Sequence, residues 1–500
     1  MVIGGRNKSF IMYSENKIGG AVFWSVFAQI ATKLISPIVN MALARILTPE
    51  AFGIVASITI ITSFAEVFTD AGFQKYIVQH EFENEEDLDS STNVAFWSNM
   101  VMAAAFVIVI IFFRKPLANL LGSPGIELGI SVASINILFV TLSSTQTARY
   151  NRDLDFRTLF YIRIVTAFIP VIVTIPLALV VKNYWALLIG MMAGNLVNAI
   201  LLTVKSKWKP KLFYSISILE EMLAFSIWIL LDSVAIWLTA YIGSFIIGRY
   251  LDAYYLGLYK TSMTTVNGIT NMITASIPPV MFTALSRWQN NTHEMNKTFW
   301  GFQRLSAIVL FPLGIGFFIF SDVVTWIFLG NQWGEATEFI GIWGLTSTFT
   351  LVFANYSSTY YRSKGKPKVS LMSQLLLLLV LVPTLLISVR YGFRTLYLAR
   401  SLVSLYAILL ALTIMKVVFH VSIIKTIKNV TPMIISAVAM GLVGHYLKMI
   451  NNGMLWRLTS IFFCSVFYFS FIMLLFPQCR REILELSFVK KAVNAISHKR

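Results

Sequence analysis

Arg45-Ile46-Leu47-Thr48-Pro49-Glu50-Ala51-Phe52-Gly53-Ile54 returns 204 residues later as Arg249-Tyr250-Leu251-Asp252-Ala253-Tyr254-Tyr255-Leu256-Gly257-Leu258. Arg, Leu and Gly keep their spacing, a large apolar residue precedes the Gly both times, and Trp24 upstream lands on Trp228. In each copy a long apolar segment leads into a short break and then a second apolar segment. Two weakly similar halves in one membrane chain predict a transporter built from internal repeats, with its binding site between them.

Composition agrees with a membrane setting. The 500 residues are 57% hydrophobic and 13% charged, with a mean hydropathy of +0.73; soluble domains carry about 25% charge. Apolar runs near the roughly 20 residues that cross a bilayer recur along the whole chain. Fourteen are expected: 19–44, 52–73, 93–113, 127–147, 159–181, 184–204, 222–247, 254–280, 303–328, 337–360, 370–389, 393–417, 430–450 and 455–477. The short alternating segments of a transmembrane barrel are absent, so the expected fold is all-α. Arg6, Lys8 and Lys17 precede the first run, which is too long for a signal peptide and is expected to stay as the first span. Cys464 and Cys479 are the only cysteines. Both fall at the last span, so neither a disulfide framework nor a thiolate metal site is expected.

With the N-terminus in the cytoplasm and the loops assigned alternately, 27 of the 40 Lys and Arg face the cytoplasm and nine the outside. This bias follows the positive-inside rule, places both termini in the cytoplasm and favours an even number of spans. The net charge of +17 therefore reads as topology and contact with anionic headgroups. Nucleic-acid binding is not expected, because no soluble basic domain with interleaved aromatics exists. The loop from His80 to Asp89 holds six acids and no Lys or Arg, as a solvated connector would.

Polar stripes mark four spans. Ser25, Gln29, Lys33, Ser36 and Asn40 share one face of the first helix; Thr59, Ser63, Glu66 and Asp70 share one face of the second. Ala71-Gly72-Phe73 then reads as a helix end. A charge at membrane depth must face protein or water, so Lys33, Glu66 and Asp70 line a wet gap or lock the two helices by an internal salt bridge. Asn99 and Asn136 are suited to hydrogen bonds across helix pairs. Arg163 lies in the fifth span, where a lumen or a snorkelling position is open to it. Lys205 to Lys211 reads as the linker between halves. Asp232 lies in the seventh span, and Lys260, Thr264, Asn267, Asn271 and Thr274 run down one face of the eighth, which Pro278-Pro279 breaks. Phe311-Pro312 opens the ninth span, and Arg400 in the twelfth faces protein. The repeat-matched pairs of spans are thus the pairs with polar faces, and a water-filled central cavity is expected between them. The tail from Arg480 onward has the pattern of a surface-lying amphipathic helix.

Other chemistries lack their residues. Gly365-Lys366 has no Walker A context, the five histidines show no metal-ligand spacing, and no nucleophile elbow occurs. No cofactor and no metal are expected. No loop is long enough for an extramembrane catalytic domain, which points to a transporter rather than an enzyme.

Four stretches carry a family resemblance: Ala44 to Gly53, Asp70-Ala71-Gly72-Phe73, Tyr250-Leu251-Asp252-Ala253 through Gly257-Leu258-Tyr259, and the turn from Leu329-Gly330 to Trp333. Through them the chain resembles a Wzx-type polysaccharide flippase of the multidrug/oligosaccharidyl-lipid/polysaccharide exporter superfamily, and within it the colanic-acid and exopolysaccharide exporter branch. The resemblance implies two six-helix lobes, residues 1–210 and 211–420, opening alternately around a central cavity. Two extra helices at 421–477 and a basic cytoplasmic tail at 478–500 complete the expected organisation. It implies a multi-pass protein of the bacterial inner membrane. Its substrate would be an undecaprenyl-diphosphate-linked oligosaccharide, moved to the periplasmic leaflet for exopolysaccharide, capsule or O-antigen (lipopolysaccharide) biosynthesis. Membrane lipids, a polysaccharide polymerase, a chain-length regulator and a coupling ion (H+ or Na+) are the other partners it suggests. The stripes themselves nominate Gln29, Lys33, Asn40, Arg163, Lys260, Asn267, Asn271 and Arg400 for substrate, the cations for the diphosphate and the amides for sugars. Glu66, Asp70 and Asp232 are nominated for charge balance or coupling. A cation-coupled multidrug exporter is the alternative, in which lumen acids would dominate; a membrane polysaccharide polymerase is a third reading.

Overall fold

The protein is described from a computed structural model. It covers residues 35, 37–70, 72–275, 277–477 and 480, and the side chains of these except Asp70, Trp228, Ile229 and Pro367. All regular structure among these residues is helical. Twelve segments are long and apolar enough to cross a bilayer, and a further pair of helices, Ala253–Thr274 and Ile277–Arg287, bends by 48° at a short break. Each of these thirteen coincides with an expected span. The first expected span falls mostly outside the described residues, where its visible part is the helix α1 (Pro37–Ile46). Gln29, Lys33, Trp24 and the tail beyond Arg480 also lie outside them, as do Cys479 and the side chains of Asp70 and Trp228.

Contacts divide the chain into two units: Met1–Ala275 with Leu385–Phe393, and Ser276–Thr384 with Arg394–Arg500. The first unit holds α1, α2 (Pro49–Asp70), α3 (Phe73–Gln79), α4 (Glu85–Phe112), α5 (Arg114–Leu120), α6 (Glu127–Arg152), α7 (Phe156–Ile169), α8 (Ile175–Val181), α9 (Tyr184–Lys205), α10 (Ile216–Tyr250) and α11 (Ala253–Thr274). A π turn at Pro170–Thr174 joins α7 to α8. Gly72, at φ 82° between α2 and α3, occupies a left-handed conformation that glycine adopts without strain. Several helices begin before their apolar runs do. Asn84 accepts a hydrogen bond from the Asp87 amide, and Glu85, Glu86 and Asp87 fill the first turn of α4. Carboxylates there favour the helix dipole, so half of the expected acidic connector is helical.

The tightest approach in this unit joins the two copies of the repeated stretch. A Cβ on Gly53 would lie 1.7 Å from the carbonyl oxygen of Ala253, and one on Gly257 would lie 1.9 Å from that of Pro49. The four residues are pairwise 204 apart, so each copy offers the other the same glycine and the same carbonyl. Without a hydrophobic drive between helices in lipid, such close backbone contact is a main source of helix association. Away from the spans, the Tyr76 phenol donates to the Glu221 carboxylate at 2.8 Å, and His80 lies 3.6 Å from the same carboxylate. Burial first, and Glu221 second, push the Tyr76 phenol well above its usual range.

The second unit holds α12 (Ile277–Arg287), α13 (Thr292–Ile319), α14 (Ser321–Phe328), α15 (Thr337–Thr350), α16 (Tyr356–Ser363), most of α17 (Pro367–Ser388), α18 (Phe393–Phe419), α19 (Ile423–Ile450) and α20 (Met454–Leu475). Pro278 and Pro279 fall in the first turn of α12, where a missing N–H costs nothing. Pro312 lies inside α13 rather than at its start, because Asn291 caps the helix about three turns before the apolar run. The last two spans are tied to the unit by charge. Asp322 on α14 takes Lys448 of α19 at 3.0 Å and Arg457 of α20 as well.

Candidate functional site

The polar faces of the first unit form two groups. One is a cavity of about 720 Å3 inside the unit, lined by α1, the end of α6, α7, the π turn and α9. Arg163 and Asn40, chosen from separate spans, line it together, with Thr147, Thr166, Thr174, Asn195 and Asn198 as the other polar members. None of the described residues that line it is Asp or Glu. Among the described residues the Arg163 guanidinium makes no hydrogen bond or ion pair, and the side-chain amides of Asn40 and Asn198 make none either. Asn195 is committed, donating to Asn136 across the α6–α9 packing at 3.0 Å. The expectation for Asn136 therefore holds, whereas Asn99 Oδ1 is buried without a partner.

The packing of α9 keeps this cavity open. Gly190 sits directly against Thr174, since a Cβ there would lie 1.8 Å from Thr174 Oγ1. One turn on, Gly194 faces open space with nothing within 4 Å of its Cβ position. The first glycine lets the π turn close on α9; the second leaves room beside Arg163.

The other group lies on α2, α10 and α11. Lys260 is half-buried, and its ammonium stands 4.5 Å from the Tyr241 ring centroid. Tyr241 stacks on Trp237, whose indole N–H donates to Ser63 on α2 at 3.0 Å. A cation–π contact of roughly 0.5–2 kcal/mol is thus the partner seen for Lys260, in place of a carboxylate. Down the same helix the Asn267 and Asn271 amides make no hydrogen bond among the described residues, and Thr264 is exposed. Among the described residues, half-buried Glu66 has no partner for its carboxylate, and buried Asp232 Oδ1 has none either. The internal salt bridge expected as an alternative for Lys33, Glu66 and Asp70 falls on Lys33 and the Asp70 side chain, which lie outside the described residues. In the second unit Arg400 lies 4.9 Å over the Trp343 ring. Stripe reading follows one helix at a time, so it missed Asn198, Trp237 and Tyr241, which join their groups only through packing between helices.

Unpaired amides, cations and acids on otherwise apolar spans define a multi-pass membrane protein with polar internal surfaces. Its fold is like that of the solved lipid II flippase MurJ in an inward closed conformation, at a TM-score of 0.73 and 16% identity, over 91% of this chain and 99% of that one. The chain belongs to the polysaccharide biosynthesis protein family, whose model matches residues 42–338. Among curated relatives, the succinoglycan biosynthesis transport protein ExoT of Rhizobium meliloti (strain 1021) is 22% identical over 325 residues, covering 65% of each chain. The lipopolysaccharide biosynthesis protein WzxC of Escherichia coli (strain K12) is 21% identical over 329 residues, 64% of this chain and 65% of that one. The chain spans just under two thirds of the length of these two relatives. The resemblance carried by Ala44 to Gly53 and its companion motifs is borne out.

Proposed function

We propose that this protein flips an undecaprenyl-diphosphate-linked oligosaccharide from the cytoplasmic to the periplasmic leaflet, supplying surface polysaccharide assembly. Fourteen spans form two six-helix lobes, 1–210 and 211–420, with two extra helices at 421–477. A diphosphate and several sugars cannot cross hydrocarbon bare. Lys33 and Lys260 meet the phosphates, while Gln29, Asn267 and Asn271 replace water around the sugars. The observation that carries this reading is the α11 face, where among the described residues a cation without a carboxylate is followed by two amides without partners. The lobes open alternately, and the reciprocal contact of Gly53 and Gly257 is the closed end. By the charge bias that end is periplasmic. The chain carries its cargo without chemical change and is not an enzyme.

Deleting the gene and restoring it on a plasmid tests the proposal. The deletion strain should lose surface polysaccharide and accumulate the lipid-linked oligosaccharide in the inner leaflet, and the plasmid should reverse both. Glu66 and Asp232, which have no partner among the described residues, favour a second reading, cation-coupled export of small molecules. Raised drug resistance on overexpression, with surface polysaccharide unchanged in the deletion strain, would select that reading. Glycosidic bond formation by the purified protein would select a polymerase.

A further inference from the structure

The cavity within the first unit carries a site that the stripes on α2 and α11 do not account for. A guanidinium at membrane depth is costly unless something pairs with it, yet Arg163 has no acidic neighbour on the cavity wall. Two amides that make no hydrogen bond among the described residues, Asn40 and Asn198, face the same space. A volume of about 720 Å3 falls within the roughly 300 to 1,000 Å3 of small-ligand sites. Gly194 contributes emptiness rather than contact.

The geometry points to an oxyanion site inside the first unit. Arg163 takes the anion and Asn40 and Asn198 take hydroxyls beside it, as phosphate or carboxylate borne on a sugar headgroup would offer. A planar guanidinium suits both anions because its paired N–H groups match two oxygens at once. The identity of the ligand rests on the flippase reading; the anion site itself does not. On that reading the cavity is a holding place for the headgroup within one half, separate from the face that bears Lys260. Two sources share this chemistry, the diphosphate of the lipid carrier and a carboxylate on an acidic sugar.

The test uses the full chain in lipid nanodiscs with sodium pyrophosphate, sodium glucuronate and glucose as probes, with binding read by isothermal titration calorimetry. Pyrophosphate or glucuronate should bind. Arg163→Gln should weaken binding about tenfold or more, the loss expected for one charge-assisted pair. Gly194→Leu should abolish it by filling the space, and it replaces a mid-helix glycine by a better helix former. Gly301→Leu, another glycine facing open space, should leave binding unchanged. Response to pyrophosphate alone assigns the site to the carrier, and response to glucuronate assigns it to an acidic sugar. No binding of either anion, or equal binding by wild type and both cavity variants, overturns the proposal. In cells, both cavity variants should cut polysaccharide export. Lost probe binding with export intact would uphold the anion site and overturn its place in flipping.

Discussion

Lys260 shows how much a single position can decide. Its ammonium rests over Tyr241 with no ion pair to a carboxylate among the described residues, so the charge stays available to a ligand. Lys260→Ala should lower polysaccharide export severalfold while the protein still inserts, and Lys33→Ala should do the same. Normal export from both variants would retire the cationic lumen. Tyr241→Leu removes roughly 0.5–2 kcal/mol of support and should weaken export less than Lys260→Ala does. Asp322 carries a different load, because it holds Lys448 and Arg457 together. Asp322→Ala leaves two partly buried cations without their counter-ion. It should destabilise the second unit by about 1–3 kcal/mol, read as a fall in melting temperature of purified protein. At this scale the sequence named Asn40 from its helical spacing and Arg163 as a charge within a span, but Asn198 shows no stripe. Its membership comes from five elements meeting around one space, which spacing along one helix does not encode.

Among the elements, the spans were legible and their ends were not. Apolar runs measure the depth of hydrocarbon, whereas a helix continues as far as its caps allow. Hence α4, α10 and α13 start at Glu85, Ile216 and Thr292 rather than at 93, 222 and 303. In each, a side-chain oxygen of Asn84, Ser215 or Asn291 accepts from the third amide beyond it. Substituting Asn84 by Ala should cost about 1 kcal/mol of local stability, visible as faster amide exchange in the first turn of α4. The packing of α2 on α11 is a stricter constraint. Any side chain at Gly53 or Gly257 overlaps a backbone carbonyl, which a rotamer change on the partner cannot relieve. Gly53→Leu or Gly257→Leu should force the two helices apart and depress export about tenfold or more with normal membrane insertion. Wild-type export from both would show that this end need not close.

For the whole molecule, class and family were readable because burying so many apolar residues in lipid leaves few alternatives. Contacts group α10 and α11 with the first unit, while the repeat makes them the counterparts of α1 and α2. Sequence symmetry records which segments correspond, while packing records which of them touch. Orientation is testable by fusion reporters. Alkaline phosphatase joined after Arg500 should be inactive and a fluorescent protein there should fluoresce, as for a cytoplasmic C-terminus. The Gly53–Gly257 seam has one more implication. Pro49 and Gly53 meet Ala253 and Gly257 as two identical subunits meet across a two-fold axis. A polypeptide containing one half alone would present a surface complementary to itself. Expressed without its sister, the segment through Lys211 should therefore form homodimers along that helix, and Gly53→Leu should leave it monomeric, the arrangement expected of an ancestor that paired before its gene was doubled.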